Sequence, residues 1–189
     1  ALDAAGPEPP PRGTSAPHGR ATGGRGGSPL FSSLKAARST VEVARLVEQL
    51  RPRTARDYTV CISAYGRVRD WRSATETLGQ MRRCGVEPDV ISYNAAISAC
   101  GKCKQLERAL SLLEDMQRRG VEPDTISFNS AISACQKGGR WQRALSLLEE
   151  MQQRGVEPDA YSFNAAISAC GKGRQWERAL ALLEEMQQG

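Results

Sequence analysis

Residues 90–124 read VISYNAAISACGKCKQLERALSLLEDMQRRGVEPD, and the sequence on both sides repeats this stretch with changes. Equivalent positions recur every 35 residues, as at Pro88, Pro123 and Pro158, at Asn94, Asn129 and Asn164, and at Cys100, Cys135 and Cys170. This register gives units at residues 55–89, 90–124, 125–159 and 160–189, and the last is expected to be truncated because it stops five residues short. A fixed period of this length indicates a repeat protein whose units pack on their neighbours.

Each unit is predicted to form two helices. In the first helix the apolar residues are spaced i, i+3, i+4 and i+7, at Tyr93, Ala96, Ile97 and Cys100. In the second helix, over residues 105–119, a similar spacing brings together Leu106, Ala109, Leu110, Leu113 and Met116. A single hairpin cannot bury both apolar faces by itself. We therefore expect an all-α fold, an α-solenoid in which helix–turn–helix units stack as a right-handed superhelix.

The residues that precede the repeats have a different composition. Residues 1–35 are rich in Pro, Gly and Arg and lack a hydrophobic period, so we expect a disordered leader or linker there. An organelle-targeting remnant is an alternative interpretation of this basic segment. Residues 36–54 are expected to contain one degenerate leading helix, whose apolar face is formed by Val41, Ala44, Val47 and Leu50.

A second stripe on the first helix of each unit is not explained by burial. In the second unit it consists of Ile91, Asn94, Ser98 and Lys102, which point within about 60° of one another on a helix. The third and fourth units repeat it as Ile126, Asn129, Ser133 and Lys137, and as Tyr161, Asn164, Ser168 and Lys172. An apolar or flat group, an amide, a hydroxyl and an ammonium in this order favour binding of single-stranded nucleic acid. The alternative is that each Asn only bonds locally near its helix start.

The repeated unit resembles the pentatricopeptide repeat family. Its 35-residue length, the segment V-I-S-Y-N-A-A-I-S-A-C-G-K, the segment A-L-S-L-L-E-D-M and the ending G-V-E-P-D carry the resemblance, which covers residues 55–189. The tetratricopeptide repeat has a period of 34 and a Trp-Leu-Gly-Tyr pattern that is absent here. The resemblance implies binding of single-stranded RNA at one nucleotide per repeat.

The resemblance also implies which residues select the bases. In the family these are the fifth and last residues of each motif, here Thr59 with Asp89, Asn94 with Asp124, and Asn129 with Asp159, while Asn164 has no partner in its own unit. A Thr–Asp pair implies G, an Asn–Asp pair implies U, and a lone Asn implies a pyrimidine. The expected core is therefore 5′-GUU followed by a pyrimidine.

Two further rows of residues follow from the same resemblance. The second position of each motif would stack against bases, and is occupied by Arg56, Ile91, Ile126 and Tyr161. The thirteenth position would approach phosphate, and is occupied by Arg67, Lys102, Lys137 and Lys172. Arg56 departs from the usual aliphatic residue, although a guanidinium can also stack. These cations stand out because residues 55–189 hold eighteen Lys/Arg against seventeen Asp/Glu, within a chain of net charge +5.

The composition leaves little scope for other chemistry. The single histidine, His18, lies in the Pro/Gly-rich segment, and the sequence has no Gly-rich phosphate loop. Cys100 and Cys103 form a C-x-x-C pair, but Cys135 and Cys170 repeat the Cys100 position without a partner, so we interpret it as a core position. We expect no enzyme activity, no cofactor and no metal. No apolar run approaches the roughly 18 residues that a membrane span needs.

Two functions remain open from the sequence. The first is sequence-selective binding of single-stranded RNA in organellar RNA processing, stability, editing or translation, in a mitochondrion or chloroplast, with proteins of RNA processing as possible partners. The alternative is a protein-interaction scaffold that binds a peptide in the concave groove. The RNA hypothesis requires Asn94, Asn129 and Asn164 to line the inner wall of the array, and we expect them to be open to solvent.

Overall fold

The structure, a computed structural model, describes residues 29–188, which form ten helices and no strand. The helices are α1 Pro29–Ala36, α2 Thr40–Leu50, α3 Ala55–Arg67, α4 Trp71–Arg83, α5 Val90–Lys102, α6 Leu106–Arg118, α7 Thr125–Gly138, α8 Trp141–Gln153, α9 Ala160–Lys172 and α10 Trp176–Gln188. Each 35-residue unit contributes one hairpin, from α3–α4 to α9–α10. The predicted α-solenoid is thereby confirmed.

The last residue of each unit starts the first helix of the next. Asp89, Asp124 and Asp159 are the N-caps of α5, α7 and α9, and each carboxylate accepts a hydrogen bond of 2.8 Å from a serine N–H in the first turn. A carboxylate at this place satisfies an N–H group that has no partner within the helix, and it also interacts favourably with the helix dipole. The junction between units is therefore held by side-chain hydrogen bonds as well as by packing.

The first helices form a continuous row through the array. Helices α3, α5, α7 and α9 each contact the next in order, and α4, α6 and α8 each also contact the first helix of the following unit. The predicted apolar stripe of α5 is fully buried, and so are the equivalent residues of α7. Tyr93, Ile97 and Cys100 of α5 correspond to Phe128, Ile132 and Cys135 of α7. Burial of one such aliphatic or aromatic side chain contributes about 1.5–3 kcal/mol.

Two glycines let neighbouring first helices approach closely. A Cβ atom built at Gly66 would lie 3.1 Å from the Cβ of Ala99, and one built at Gly101 would lie 3.3 Å from the Cβ of Ala134. At Gly171, the equivalent residue of α9, no atom lies within 4 Å of such a Cβ. The helix-to-helix approach therefore depends on glycine in α3 and α5 but not in α9.

The segment before the repeats differs from its prediction. Two helices form instead of one, because Ser39 caps α2 and accepts a hydrogen bond of 3.2 Å from the Glu42 N–H. The buried residues of α2 are Val43 and Leu46, whereas Val41, expected on the buried face, is 80% exposed. The predicted face was wrong at Val41 and Ala44, which are exposed, whereas Val47 and Leu50 of that face do pack against the core.

The expected disorder over residues 1–35 is corrected in its last part. Residues 1–28 lie outside the described residues, but residues 29–35 belong to α1. Leu34 is fully buried, and Leu30 and Phe31 pack against the same core. An apolar side of α1 therefore gains enough burial against α2 and α3 to offset the entropy of ordering it.

Apolar side chains are exposed on the last hairpin. Trp176 is 66% exposed and Leu180 is 51% exposed, both on α10. The equivalent Trp141 is partly buried, and the following unit covers it with Gly173 and with the Arg178 guanidinium, 4.6 Å from the Trp141 ring centroid. In residues 29–188 no further unit follows α10 to cover Trp176 in this way.

Among the helices of residues 29–188, none combines the length and the apolar character that a bilayer crossing requires.

Candidate nucleic-acid interface

The row of first helices carries most of the exposed apolar and cationic residues predicted to contact RNA. Ile91, Ile126 and Tyr161 are 65%, 61% and 56% exposed, which is unusual for large apolar side chains in an array with a buried core. The cations of the thirteenth position, at the other end of the same helices, are exposed in all four units at Arg67, Lys102, Lys137 and Lys172. Each first helix thus presents a stacking group near its start and a positive charge near its end.

One cleft, centred on the third unit, brings these groups together from the second, third and fourth units. Ile126 and Tyr161 line a cleft of about 290 Å³ with Asn129, Ser133 and the two cations Lys102 and Lys137 among its other lining residues. The Tyr161 hydroxyl donates a hydrogen bond of 3.4 Å to the Ser133 Oγ, which ties the aromatic ring to α7. Flat, amide and cationic groups that suit a base and its phosphate therefore surround one small space.

The two predicted base-selecting residues of the second and third units are hydrogen-bonded to each other. Asn94 Nδ2 donates to Asp124 Oδ1 at 3.0 Å, and Asn129 Nδ2 donates to Asp159 Oδ1 at the same distance. The hydroxyl of Ser127 donates to Asn94 Oδ1 at 2.6 Å, and the next unit repeats this contact at Asn129. The amide nitrogen is therefore held by the last residue of its own unit and the amide oxygen by a serine of the following unit, which fixes the orientation of both atoms.

The carboxylates of these pairs are stabilised in the ionised form. Burial alone would raise the pKa of Asp124 and of Asp159, but hydrogen bonds from the neighbouring Asn and Ser residues outweigh burial and hold each pKa below its ordinary value. Both carboxyl groups are therefore charged at neutral pH and act only as hydrogen-bond acceptors.

The expectation that all three asparagines are open to solvent was wrong for two of them. Asn94 and Asn129 are each 8% exposed, because the last Asp of the same unit and a Ser of the following unit enclose the amide, while Asn164 is exposed. Asn129 nevertheless lines the cleft described above. An asparagine amide has two N–H donors and two acceptor lone pairs. The contacts to Asp and Ser use one of each, so one donor and one acceptor remain for a ligand.

The first unit uses a different arrangement. Thr59 Oγ1 donates to the Ala55 carbonyl at 2.9 Å and lies 2.9 Å from Ser92 Oγ. Ser92 Oγ in turn donates to Asp89 Oδ1 at 2.6 Å. Thr59 and Asp89 are therefore linked through Ser92 and not directly, and they present a hydroxyl and a carboxylate where the next units present an amide and a carboxylate.

The four cations of the thirteenth position fall into two classes. Arg67 Nη2 donates to the Leu34 carbonyl at 2.5 Å, and Lys172 Nζ donates to the Gln136 carbonyl at 3.1 Å. Both therefore bind the C-terminal end of a preceding helix. Lys102 and Lys137 make no hydrogen bond or ion pair with any residue in 29–188. The two central units thus carry the cations that remain available for phosphate.

Three contributors to this edge were not predicted from the sequence. Phe31 lies in the segment expected to be disordered, and the Arg56 guanidinium carbon is 5.9 Å from its ring centroid. Ser127 was assigned no role, although a serine recurs there every 35 residues. Gln136 replaces the glycine of other units, and its Nε2 donates to Ser168 Oγ at 2.8 Å. The serine shared by three of the four units, and the departure from glycine at Gln136, were signals in the sequence, whereas no repeat marks Phe31.

Four of the six cysteines, Cys61, Cys100, Cys135 and Cys170, are buried in the core, whereas Cys84 is exposed and Cys103 is half-buried. Cys100 is fully buried, and burial raises the pKa of its thiol to about 11, so the thiol is neutral. Cys103 Sγ instead contacts the Arg69 carbonyl at 3.2 Å. Across residues 29–188 no group of three or more His, Cys, Asp or Glu side chains is placed to hold a metal ion.

Comparisons of sequence identify the repeat. The PPR repeat family matches residues 88–137 and 123–172, the pentatricopeptide repeat domain matches residues 55–103, and the PPR repeat matches residues 161–189. Together these matches extend over the whole array. No curated protein sequence matches the chain.

Solved structures share the same fold. The pentatricopeptide repeat protein PPR10 from maize is 24% identical with a TM-score of 0.66, and PPR10 in complex with an 18-nt psaJ RNA element is 28% identical with a TM-score of 0.64. Each covers 84% of this chain, which spans only 23% and 27% of those two chains. The PPR domain of Arabidopsis thaliana protein-only RNase P 1, in complex with tRNA, is 16% identical with a TM-score of 0.70, covering 84% of this chain and 86% of that one.

Proposed function

We propose that this chain, which belongs to the pentatricopeptide repeat family, binds single-stranded RNA along its row of first helices, with one nucleotide to each unit. The PPR10 structure that contains an RNA element is 28% identical over 84% of this chain and supports RNA as the ligand. The edge of the first helices also has the composition that such a ligand needs, with flat or apolar groups for bases and cations for phosphates.

The cleft around Asn129 is the observation that carries this proposal. Ile126 and Tyr161 belong to consecutive units, and both line the cleft that contains the Asn129 amide. A base between these two side chains would have its faces covered and its edge directed at the amide. Base–aromatic stacking contributes about 1–3 kcal/mol per base in single-stranded complexes, so Tyr161 is the strongest stacking residue of the row.

The hydrogen-bonding capacity left on the amide suits contact with the edge of a base. Asn129 retains one N–H and one lone pair after its bonds to Asp159 and Ser162. Uracil presents both a donor and acceptors on its edge, so it can use both. By the family resemblance, the Asn–Asp pairs of the second and third units select U and the Thr–Asp pair of the first selects G. We propose 5′-GUU followed by a pyrimidine as the bound core.

The exposed lysines of the second and third units are the proposed contacts for phosphate. Lys102 and Lys137 are exposed and unpaired within residues 29–188, and both line the same cleft as Asn129. Each phosphate contact on a single strand contributes about 0.7 to the slope of log affinity against log salt. Two contacts would therefore give a modest salt dependence, with sequence preference coming from the amide pairs.

The biological role that fits this activity is binding of an organellar transcript. By the family resemblance, such binding would serve RNA processing, stability, editing or translation in a mitochondrion or chloroplast, by occupying a site or by recruiting a protein partner. We propose a binding role without catalysis for residues 29–188, because the side chains repeated along the edge suit stacking, hydrogen bonding and charge neutralisation.

A titration tests the proposed function. The chain is titrated against labelled RNA containing GUUU and against an A-rich RNA of equal length at low salt. We expect measurable affinity for the first RNA and weaker affinity for the second. Equal affinity for both RNAs, or none for either, would contradict base reading. If neither RNA binds, an unstructured peptide titrated in the same way tests the scaffold alternative.

A further inference from the structure

We infer that α1 completes the first nucleotide-binding position, because Phe31 holds the Arg56 guanidinium as a stacking surface. This inference rests on the proposed RNA-binding function. It concerns the position at which the row of stacking residues departs from Ile and Tyr. Phe31 is assigned as a positioning residue that acts through Arg56.

Arg56 needs such support more than the other stacking residues do. An arginine side chain has many rotamers, and part of this conformational entropy is lost when its plane is fixed beside a base. Ile91 and Ile126 are short, and Tyr161 is tied to α7 by its hydroxyl. The Arg56 guanidinium carbon lies 5.9 Å from the Phe31 ring centroid, within the range of a cation–π interaction.

Other contacts of α1 fix the helix beside α3 and so hold Phe31 next to Arg56. Leu34, one turn after Phe31, is fully buried. Its carbonyl accepts a hydrogen bond of 2.5 Å from Arg67, at the other end of α3. Helix α1 therefore contacts α3 near both ends of α3. Arg56, of the predicted stacking row, makes the contact near the start of α3, and Arg67, of the predicted phosphate row, makes the contact at its end.

The fourth unit provides an internal parallel. There the second-position residue Tyr161 contacts Ser133 on the preceding first helix, and Lys172 donates to the carbonyl of Gln136 on that helix. In the first unit Arg56 contacts Phe31 and Arg67 donates to Leu34, both on α1. Helix α1 thus takes the place of a preceding first helix and supplies the contact that positions the stacking residue.

Binding of an RNA that lacks its first base distinguishes a positioning role of Phe31 from a purely structural role. The variant Phe31→Leu keeps an apolar side chain in α1 but removes the ring. We expect it to weaken binding of GUUU RNA by about two- to five-fold, the equivalent of one exposed cation–π contact. Binding of an RNA that is abasic at the first nucleotide should not weaken further, since no base remains to stack on Arg56.

Two additional variants complete the test. In an Arg56→Ala background, Phe31→Leu should have no added effect. Trp71→Leu removes another arginine–aromatic contact, the 5.4 Å approach of Arg72 to the Trp71 ring on α4, and should leave binding of both RNAs unchanged.

The possible failures are distinguishable. Equal weakening of intact and abasic RNA by Phe31→Leu would overturn the inference, because it would indicate a packing role. Wild-type affinity of Phe31→Leu for both RNAs would also overturn it. If the unchanged chain bound no RNA, the proposed function and this inference would both fail. If the unchanged chain binds GUUU RNA but Phe31→Leu does not behave as expected, only the inference about Phe31 fails.

Discussion

Asn94 and Asp124, thirty residues apart, are joined by a hydrogen bond of 3.0 Å between the amide nitrogen and a carboxylate oxygen. The same carboxylate caps α7, the first helix of the next unit. The two residues that the family resemblance assigns to base selection therefore form one rigid group before any ligand arrives. A preformed group of this kind loses little further side-chain entropy on binding.

The variant Asp124→Asn should change base preference without disrupting the fold. Asn is about as good an N-cap as Asp, so the free energy of unfolding should change by less than about 1 kcal/mol. By the family resemblance, preference at the second nucleotide should move from U toward C. Dissociation constants for RNAs that differ only at that nucleotide measure the effect. Asp159→Asn is the matched control and should act at the third nucleotide instead, whereas an unchanged preference in both variants would refute the assignment.

The variants Lys102→Ala and Lys137→Ala should weaken binding of every RNA sequence alike. Each removes a cation with no partner in residues 29–188, so the slope of log affinity against log salt should fall by about 0.7 per variant. Affinities measured over a series of salt concentrations give this slope. Arg83→Ala removes one exposed charge from the last turn of α4, outside the residues predicted to contact RNA, and should leave the slope as it is. A loss confined to one RNA sequence would argue against phosphate contact.

Acid should destabilise the array through the capping carboxylates. The pKa of Asp124 and of Asp159 is lowered in the folded state, against an ordinary value of 3.8. A lowered folded pKa stabilises the fold above the unfolded pKa, and this contribution is lost as pH falls through the folded value. The free energy of unfolding from urea titrations should therefore decline below about pH 4. The double variant Asp124→Asn with Asp159→Asn should show a smaller decline, and an equal decline would assign the acid effect to other groups.

Alanine should have opposite effects at two equivalent glycines. Gly66→Ala places a Cβ 3.1 Å from the Ala99 Cβ, and overpacking of this kind costs about 1–3 kcal/mol. Gly171→Ala meets no atom within 4 Å, so the higher helix propensity of Ala should stabilise the fold by up to about 1 kcal/mol. Thermal or urea unfolding of both variants measures the difference. Equal effects would mean that the close approach of α3 and α5 is not limited by Gly66.

The hairpins and their buried stripes were predictable from sequence because the repeat gives each helix the same apolar spacing three or four times. Tyr93, Ile97 and Cys100 are buried as that spacing indicates. The position of α1 was not predictable, since it depends on tertiary burial of Leu34 in a segment without a period. The face of α2 was partly misassigned for the same reason, because a single short helix has no second copy against which to compare its pattern.

The candidate site was predictable in its residues but not in its contacts. Exposure of Ile91 and Ile126 follows from their place on the stripe opposite the core. Enclosure of the Asn94 amide by Ser127 does not, because it depends on how the next unit docks and on the rotamer of a short side chain. Contacts between units are a property of the stack, and a single unit's sequence does not contain them.

The shared role of each terminal aspartate limits how such an array can be rebuilt. Replacing a whole unit with one that ends in a residue other than Asp would remove the cap of the next helix, and would so alter a helix start in a unit left untouched. A transplanted segment that runs from one Asn to the serine thirty-three residues later, as from Asn94 to Ser127, carries the complete cluster with it. To change the base preference of the array, an engineer should therefore transplant the segment that spans the junction between two units and not a whole hairpin.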